Sequence, residues 1–126
     1  MLLFQKFHVK QDERALLLRD GDFVDFLESG DHRYFDPLRK LAIERIALAK
    51  PRFEHRLADV IAKNRPDVIE RAFQRVELGP TEVGLRFEEG VLAEVLAPST
   101  RALFVRGLRE QRFERIDIAT QFAVPH

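Results

Sequence analysis

The stretch from Glu13 to Phe35 has the sequence ERALLLRDGDFVDFLESGDHRYF, and a degenerate second copy of it follows in the same chain. Two alternating runs flank an Asp-Gly pair, and a Ser-Gly pair and a short aromatic run come next, which is the pattern of a three-stranded antiparallel meander. The segment from Glu82 to Phe104, 69 positions later, is EVGLRFEEGVLAEVLAPSTRALF. The matching pairs are Glu13 with Glu82, Leu16 with Leu85, Gly21 with Gly90, Leu27 with Leu96 and Phe35 with Phe104. The sequence therefore predicts two copies of one β-unit.

The first β-unit is predicted over residues 3–50. The run from Ala15 to Leu18 is apolar on both faces, so we expect a central strand that is covered on both sides. Asp20-Gly21 is a pair that two-residue hairpin loops favour, because both positions can require positive φ. For Lys40 to Leu48 a helix competes with a strand, and the β-branched residues together with the repeat favour the strand.

A helical connector is predicted over residues 51–73. Its apolar residues Leu57, Val60 and Ile61 show the i, i+3, i+4 spacing of an amphipathic helix, and Val68, Ile69 and Phe73 again lie on one helical face. Pro66 suits the first position of a second helix, where its missing N–H costs nothing. We expect two short helices that lie across an exposed sheet face or edge.

The second β-unit is predicted over residues 74–126. Val83, Leu85 and Phe87 form an apolar face opposite Glu82, Gly84 and Arg86, and alternating phenylalanines such as Phe87 are expected in the core. The FERI sequence at 113–116 matches IERI at 43–46 with a shift of 70, so the second copy carries one extra residue. We place that residue in the turn Arg106-Gly107-Leu108.

These segments predict a single domain over residues 1–126 of the α+β class, mostly β. Two pseudo-symmetric antiparallel β-units, of about four strands each, are joined by a short helical hairpin into one sandwich or barrel-like core. A chain of 126 residues is long enough to bury such a core.

Composition narrows the possible functions. The 21 basic and 21 acidic residues cancel, which leaves no net charge to attract nucleic acid or an acidic membrane surface. There is no cysteine for a disulfide or a thiolate metal site. No run approaches the roughly 18 apolar residues that span a bilayer, and Lys6, His8 and Lys10 argue against a signal peptide, so we expect this chain to be soluble.

The candidate catalytic and metal-binding residues show no motif. The histidines lack metal-ligand spacing, at His8, His32, His55 and His126. The paired acids lie in predicted turns, as Asp20 with Asp22 and Glu88 with Glu89, and the turn serines Ser29 and Ser99 lack a GxSxG context. We therefore predict no catalytic, cofactor-binding or metal-binding residue, no cofactor, and a protein that is not an enzyme.

Two other functions remain as alternatives. The first is a small ligand-binding or enzymatic β-barrel, whose pocket would be lined by Phe23, Phe26, Tyr34 and Phe87. The second is nucleic-acid binding by a C-terminal stripe that contains Arg101, Arg106, Arg109, Arg112 and Arg115 with Phe104 and Phe113. The interleaved acids Glu110, Glu114 and Asp117 favour a salt-bridged strand surface over that stripe.

Several short motifs resemble a known family. They are Asp12-Glu13-Arg14-Ala15-Leu16, Arg19-Asp20-Gly21-Asp22-Phe23-Val24 and Tyr34-Phe35-Asp36-Pro37, followed in the second copy by Glu82-Val83-Gly84-Leu85, Glu89-Gly90 and Leu96-Ala97-Pro98. They are similar to the N-terminal tandem β-repeat region of bacterial slipins, in the stomatin, prohibitin and flotillin (band 7, or SPFH) family. The chain departs from that family at Ala97-Pro98-Ser99-Thr100, where a Pro-Gly turn is usual, and it stops before the long helical part of a band 7 domain.

The resemblance implies a non-catalytic scaffold module that makes protein–protein contacts in a membrane-associated protein. Membrane attachment would come from segments outside this chain, on the cytoplasmic or the periplasmic side, and the chain would be a truncated relative. Independently, two like β-units leave strand edges that are satisfied by each other or by a neighbouring chain. We therefore expect self-association as a homo-oligomer, with a possible exchange of units between chains, or binding to other scaffold proteins, and no nucleic-acid partner.

Overall fold

Ten strands and two short helices make up the part of the chain that the structure, a computed structural model, describes, which is residues 3–107 and 109–118. The first unit contains β1 (Phe4–Val9), β2 (Glu13–Arg19), β3 (Asp22–Leu27), β4 (Gly30–Phe35) and β5 (Leu41–Ala47). The helices are α1 (Ala58–Asn64) and α2 (Pro66–Ala72). The second unit contains β6 (Phe73–Glu77), β7 (Glu82–Glu88), β8 (Val91–Leu96), β9 (Arg101–Val105) and β10 (Gln111–Asp117). The predicted α+β, mostly β, class is confirmed.

Strand β2 is the centre of the first unit, as its two-sided apolar pattern predicts. It lies between β3 and β5 in a three-stranded antiparallel sheet. Leu16 and Leu18 pack on the outer side of this sheet against the helices, whereas Ala15 and Leu17 pack on the inner side. A strand that is buried on both faces has no solvent side for polar residues, which explains the unbroken apolar run.

The two units have the same topology. Each combines a three-stranded sheet, β3-β2-β5 or β8-β7-β10, with a two-stranded sheet, β1-β4 or β6-β9. Each unit thus has five strands, one more than predicted. Both hairpins turn through a left-handed pair, Asp20-Gly21 at φ 51° and 88° and Glu89-Gly90 at φ 52° and 80°. The pairing of β2 with β3 shifts after Leu17, and that of β7 with β8 shifts at the equivalent place, after Arg86.

The strand registers relocate the extra residue of the second copy. Gln5 lies opposite Tyr34, and its equivalent Gln74 lies opposite Phe104. Phe104 therefore corresponds to Tyr34, and Val105 corresponds to Phe35, which corrects the match of Phe35 with Phe104. The extra residue lies before β9, in the segment 97–100, and not in the turn Arg106-Gly107-Leu108 that was predicted. A one-residue slip would exchange the two faces of the strand, so the buried aromatic ring decides the register.

The connector is only partly helical. Pro66 begins α2 as predicted, and β5 is the strand that the sequence favoured. The segment before α1 is instead extended along the edge of β9, where the N–H of Phe53 donates to the Leu103 carbonyl (2.8 Å) and the N–H of Val105 donates to that of Pro51 (2.8 Å). Because these residues pair with a strand, the first helix begins at Ala58.

The buried side chains of the described residues form three clusters and not one shared core. One fills the interior of the first unit around Val9 and Leu17, and another fills the second unit around Leu96 and Phe104. The third, here called the central cluster, lies between the units. It joins the outer side of the β3-β2-β5 sheet, the inner sides of both helices and the outer side of the β6-β9 sheet, through Leu16, Leu18, Phe26, Ile61, Val68, Ile69, Phe73 and Val105.

Candidate docking surfaces

The histidines that the sequence singled out are dispersed. His8 contacts Asp31 at 2.7 Å, and this contact lowers the pKa of the Asp31 carboxyl. His32 contacts the Glu28 carbonyl at 2.8 Å. His55 stacks on the Phe53 ring and contacts Glu44. His126 lies outside the described residues. Within 3–107 and 109–118, no three histidine, aspartate or glutamate side chains form a group that could hold a metal ion.

The acidic turn residues Asp20, Glu88 and Glu89 contact a turn backbone or a lysine or arginine side chain. Asp20 forms an ion pair with Lys40 (3.9 Å), and Glu88 forms one with Arg86 (3.4 Å). The carboxylate of Glu89 accepts from the backbone N–H of Glu110 (3.0 Å). Ser99 adopts a positive φ of 64°, and Ser29 lies in the turn between β3 and β4. We therefore interpret these acids as residues that stabilise turns.

The four aromatic residues of the alternative ligand pocket do not share a cavity. Phe26 and Phe23 belong to the central cluster, whereas Tyr34 lies on the opposite side of the sheet in the interior of the first unit. Phe87 belongs to the other unit and contacts the Arg112 guanidinium (4.3 Å from the ring centroid).

The C-terminal arginines bind groups of the protein itself. Arg106 donates from Nε to the Phe73 carbonyl (3.0 Å). The others each contact a carboxylate, in the pairs Arg101 with Glu77, Arg109 with Glu88, Arg112 with Glu114 and Arg115 with Glu82. The arginines of the predicted basic stripe are therefore part of a salt-bridged strand surface.

The burial of two charged residues, Asp36 and Arg86, was not predicted from the sequence. Asp36 accepts from the backbone N–H groups of Leu41 and Lys40, each at 2.9 Å, and from the Gln5 amide. Burial raises the pKa of Asp36, but these hydrogen bonds outweigh it and bring that pKa below the ordinary value of 3.8. The signal available in the sequence was Asp-Pro at a strand end, which is a common turn former. Asp36 therefore holds the loop between β4 and β5.

Arg86 is the second buried charge, with 8% of the residue exposed. Its guanidinium contacts Glu94 (3.1 Å), Glu88 (3.4 Å) and the ring of Phe104 (5.5 Å to the centroid). Arg86 is equivalent to Leu17 of the first unit, whose side chain also points into the interior of its unit. Strand β7 thus turns its polar residue inward.

The apolar face of β7 consequently points outward, against the expectation that Phe87 is a core residue. Val83, Leu85 and Phe87 are only half-buried, and the neighbouring β8 residues Leu92 and Val95 are 50% and 60% exposed. Sequence alternation identifies two faces but not which of them is inside. We call the outward set Leu85, Phe87, Leu92 and Val95 the distal face.

The distal face has a covered counterpart in the first unit. By the matched registers, Leu85 and Phe87 correspond to Leu16 and Leu18, and Val95 corresponds to Phe26. Those three residues of the first unit are buried in the central cluster under the helices.

A second exposed apolar patch lies on the first unit. Phe4 and Phe35 correspond to Phe73 and Val105, which are buried in the central cluster. Phe35 is 62% exposed and packs edge-on against Phe4 (5.5 Å between ring centroids). Leu3, which precedes Phe4, and Leu38, in the loop that follows Phe35, are also exposed. We call the set Leu3, Phe4, Phe35 and Leu38 the proximal patch.

Comparisons of the chain with protein-family models, with curated proteins and with solved structures found no match. Among the described residues, neither of the helices has the length and apolar character to cross a membrane.

Proposed function

We propose that this chain is a non-catalytic protein–protein interaction module, and that it serves as a scaffold unit of a slipin-like, membrane-associated protein. One observation carries the interaction role. On the outer face of the β8-β7-β10 sheet, Leu85 and Phe87 are only half-buried and Leu92 and Val95 are exposed. The residues of the first unit that are equivalent to Leu85, Phe87 and Val95 are buried. Contiguous exposed apolar surface on a soluble domain marks a site of contact with another molecule.

The orientation of β7 supports this role. Placing Arg86 inside and Leu85 and Phe87 outside is unfavourable for an isolated unit, because charge burial is costly and apolar exposure forgoes roughly 25 cal/mol per Å². Contact with a partner would remove these side chains from water. Coverage of the distal face by a protein surface would therefore give the inverted strand a physical reason.

A photo-crosslinking experiment tests the interaction role. A benzophenone amino acid is placed at Val95 in the full chain and irradiated in cells, and adducts are identified by mass spectrometry. The matched control is Val60, which is an apolar residue on α1 with 45% exposure outside both surfaces. We expect a defined protein adduct from position 95 and none from position 60. Equal labelling from both positions, or no adduct from 95, would reject the proposal.

The slipin-like part of the proposal rests on the repeated motifs around Asp20-Gly21 and Glu89-Gly90. It has a separate test in the coding sequence that adjoins this one. A band 7 body and a hydrophobic anchor downstream are expected. An unrelated domain at that place would remove the family assignment and leave the interaction role standing.

A further inference from the structure

We infer that the partner of the distal face is the proximal patch of a second copy of this chain, so that copies associate head to tail. The inference rests on the proposed interaction role and names its partner. It follows from the internal repeat, because the chain already contains one contact of this type between its own units.

The internal contact has two different halves. One half is the outer side of the β3-β2-β5 sheet, and the other is the outer side of the β6-β9 sheet, with the helical hairpin packed alongside both. The chain carries each half twice. The first unit uses its three-stranded half, and the second unit uses its two-stranded half. The unused halves are the distal face of the second unit and the proximal patch of the first.

The matched registers specify which residues would meet. Inside the chain, the rings of Phe26 and Phe73 pack edge-on with centroids 5.1 Å apart. Their equivalents are Val95, which is 60% exposed, and Phe4, which lies beside the exposed Phe35. The contact between copies therefore places Val95 of one chain against Phe4 of the next.

The charged groups near both surfaces permit such a contact. On the sheet face that carries the distal face, Arg112 lies over the Phe87 ring and forms an ion pair with Glu114. On the β1-β4 sheet, Lys6 forms one with Asp31 at 3.7 Å. These two ion pairs keep their partners when the apolar residues are covered, and Arg33, which lies over the Phe4 ring (4.3 Å to the centroid), keeps its contact with that ring.

The contact is heterologous, since the distal face and the proximal patch are different surfaces. Heterologous contacts build open chains or closed rings, whereas a self-complementary surface stops at a dimer. Inside the chain, Ile61 and Val68 of the helices enlarge the contact. The contact between copies lacks the side chains of both helices, so we expect it to be weaker than the internal one.

A complementation experiment tests the geometry. Val95→Glu damages only the distal face, and Phe35→Glu damages only the proximal patch. Sedimentation velocity of the wild-type chain should show assemblies that exceed a dimer and grow with concentration, whereas each variant alone should remain monomeric. A 1:1 mixture of the two variants should form a dimer and nothing larger, because one intact surface of each kind remains.

The controls separate failure of this inference from failure of the proposed function. Val60→Glu should associate like the wild type, and circular dichroism should show that all variants fold. A mixture that stays monomeric while the wild type associates would indicate a self-complementary contact and overturn the head-to-tail geometry. A wild type that is monomeric at every concentration would also overturn it, while an adduct with another protein at position 95 would preserve the interaction role.

Disulfide trapping gives a second readout. The chain has no cysteine, so single substitutions are unambiguous. Oxidation of a mixture of the Phe4→Cys and Val95→Cys chains should give the mixed dimer in large excess over either like pair. A random distribution of the three dimers would contradict the predicted contact.

Discussion

Replacing Phe73 by alanine should cost far more stability than the same change at Phe4, although the two residues hold equivalent positions in the repeat. Phe73 is 1% exposed, and its ring lies 5.1 Å from that of Phe26 and 4.9 Å from that of Phe53. A buried phenylalanine replaced by alanine typically loses about 3–5 kcal/mol, and each aromatic pair contributes roughly 0.5–1.5 kcal/mol. We therefore expect a loss of about 4–5 kcal/mol for Phe73→Ala. Phe4 has one aromatic partner and lies on an open surface, so Phe4→Ala should cost about 1 kcal/mol.

Urea unfolding monitored by far-ultraviolet circular dichroism measures the difference. The midpoint should fall with an unchanged slope, since both variants expose the same surface when they unfold. A loss of about 4–5 kcal/mol approaches the whole stability of a small domain, so Phe73→Leu is measured as well and should cost about 1–2 kcal/mol. Equal losses for Phe73→Ala and Phe4→Ala would refute the distinction between a buried and a half-buried copy of the same position.

Gly21→Ala should cost about 1–2 kcal/mol of unfolding free energy, because the residue has φ 88°, a conformation that a Cβ atom disfavours. Asp36→Asn should make the free energy of unfolding less dependent on pH at acidic pH. The lowered pKa of Asp36 means that its carboxylate stabilises the fold above pH 3.8 and loses this effect as the pH falls through the lower native value, so equal acid sensitivity of both chains by urea titration would contradict the assignment. Arg86→Met should cost about 2–3 kcal/mol by the same titration, and adding Glu94→Gln should recover part of it, because the single change leaves a partly buried carboxylate without its nearest cation.

The duplicated architecture could be predicted because its signals are local. The run from Ala15 to Leu18 places apolar residues on both faces of the strand. This pattern is typical of a strand that is covered on both faces. Asp20-Gly21 and Glu89-Gly90 supply the left-handed conformations that a two-residue hairpin loop requires. Such patterns depend on a few neighbouring residues, so they can be recognised in a single sequence.

Decisions that depend on the rest of the fold could not be predicted. Alternation in β7 shows that Leu85 and Phe87 share a face, but only the unit's closure decides that Arg86 points inward. The start of α1 depends on pairing of Phe53 with the distant Leu103. The distal face and the proximal patch belong to the same category, because exposure is a property of what packs on a residue and not of the residue.

The repeat gives each unit both halves of one contact. When identical units stack through two different halves of one contact, any finite array leaves one half free at each end, and repeat proteins usually end with polar caps for that reason. At the two halves that the internal contact does not use, Phe35 and Val95 are 62% and 60% exposed. Uncapped ends extend an array, whereas a polar residue ends it. Val95→Glu should therefore act as an artificial cap, and its effect on assembly should greatly exceed its effect on the stability of the single chain.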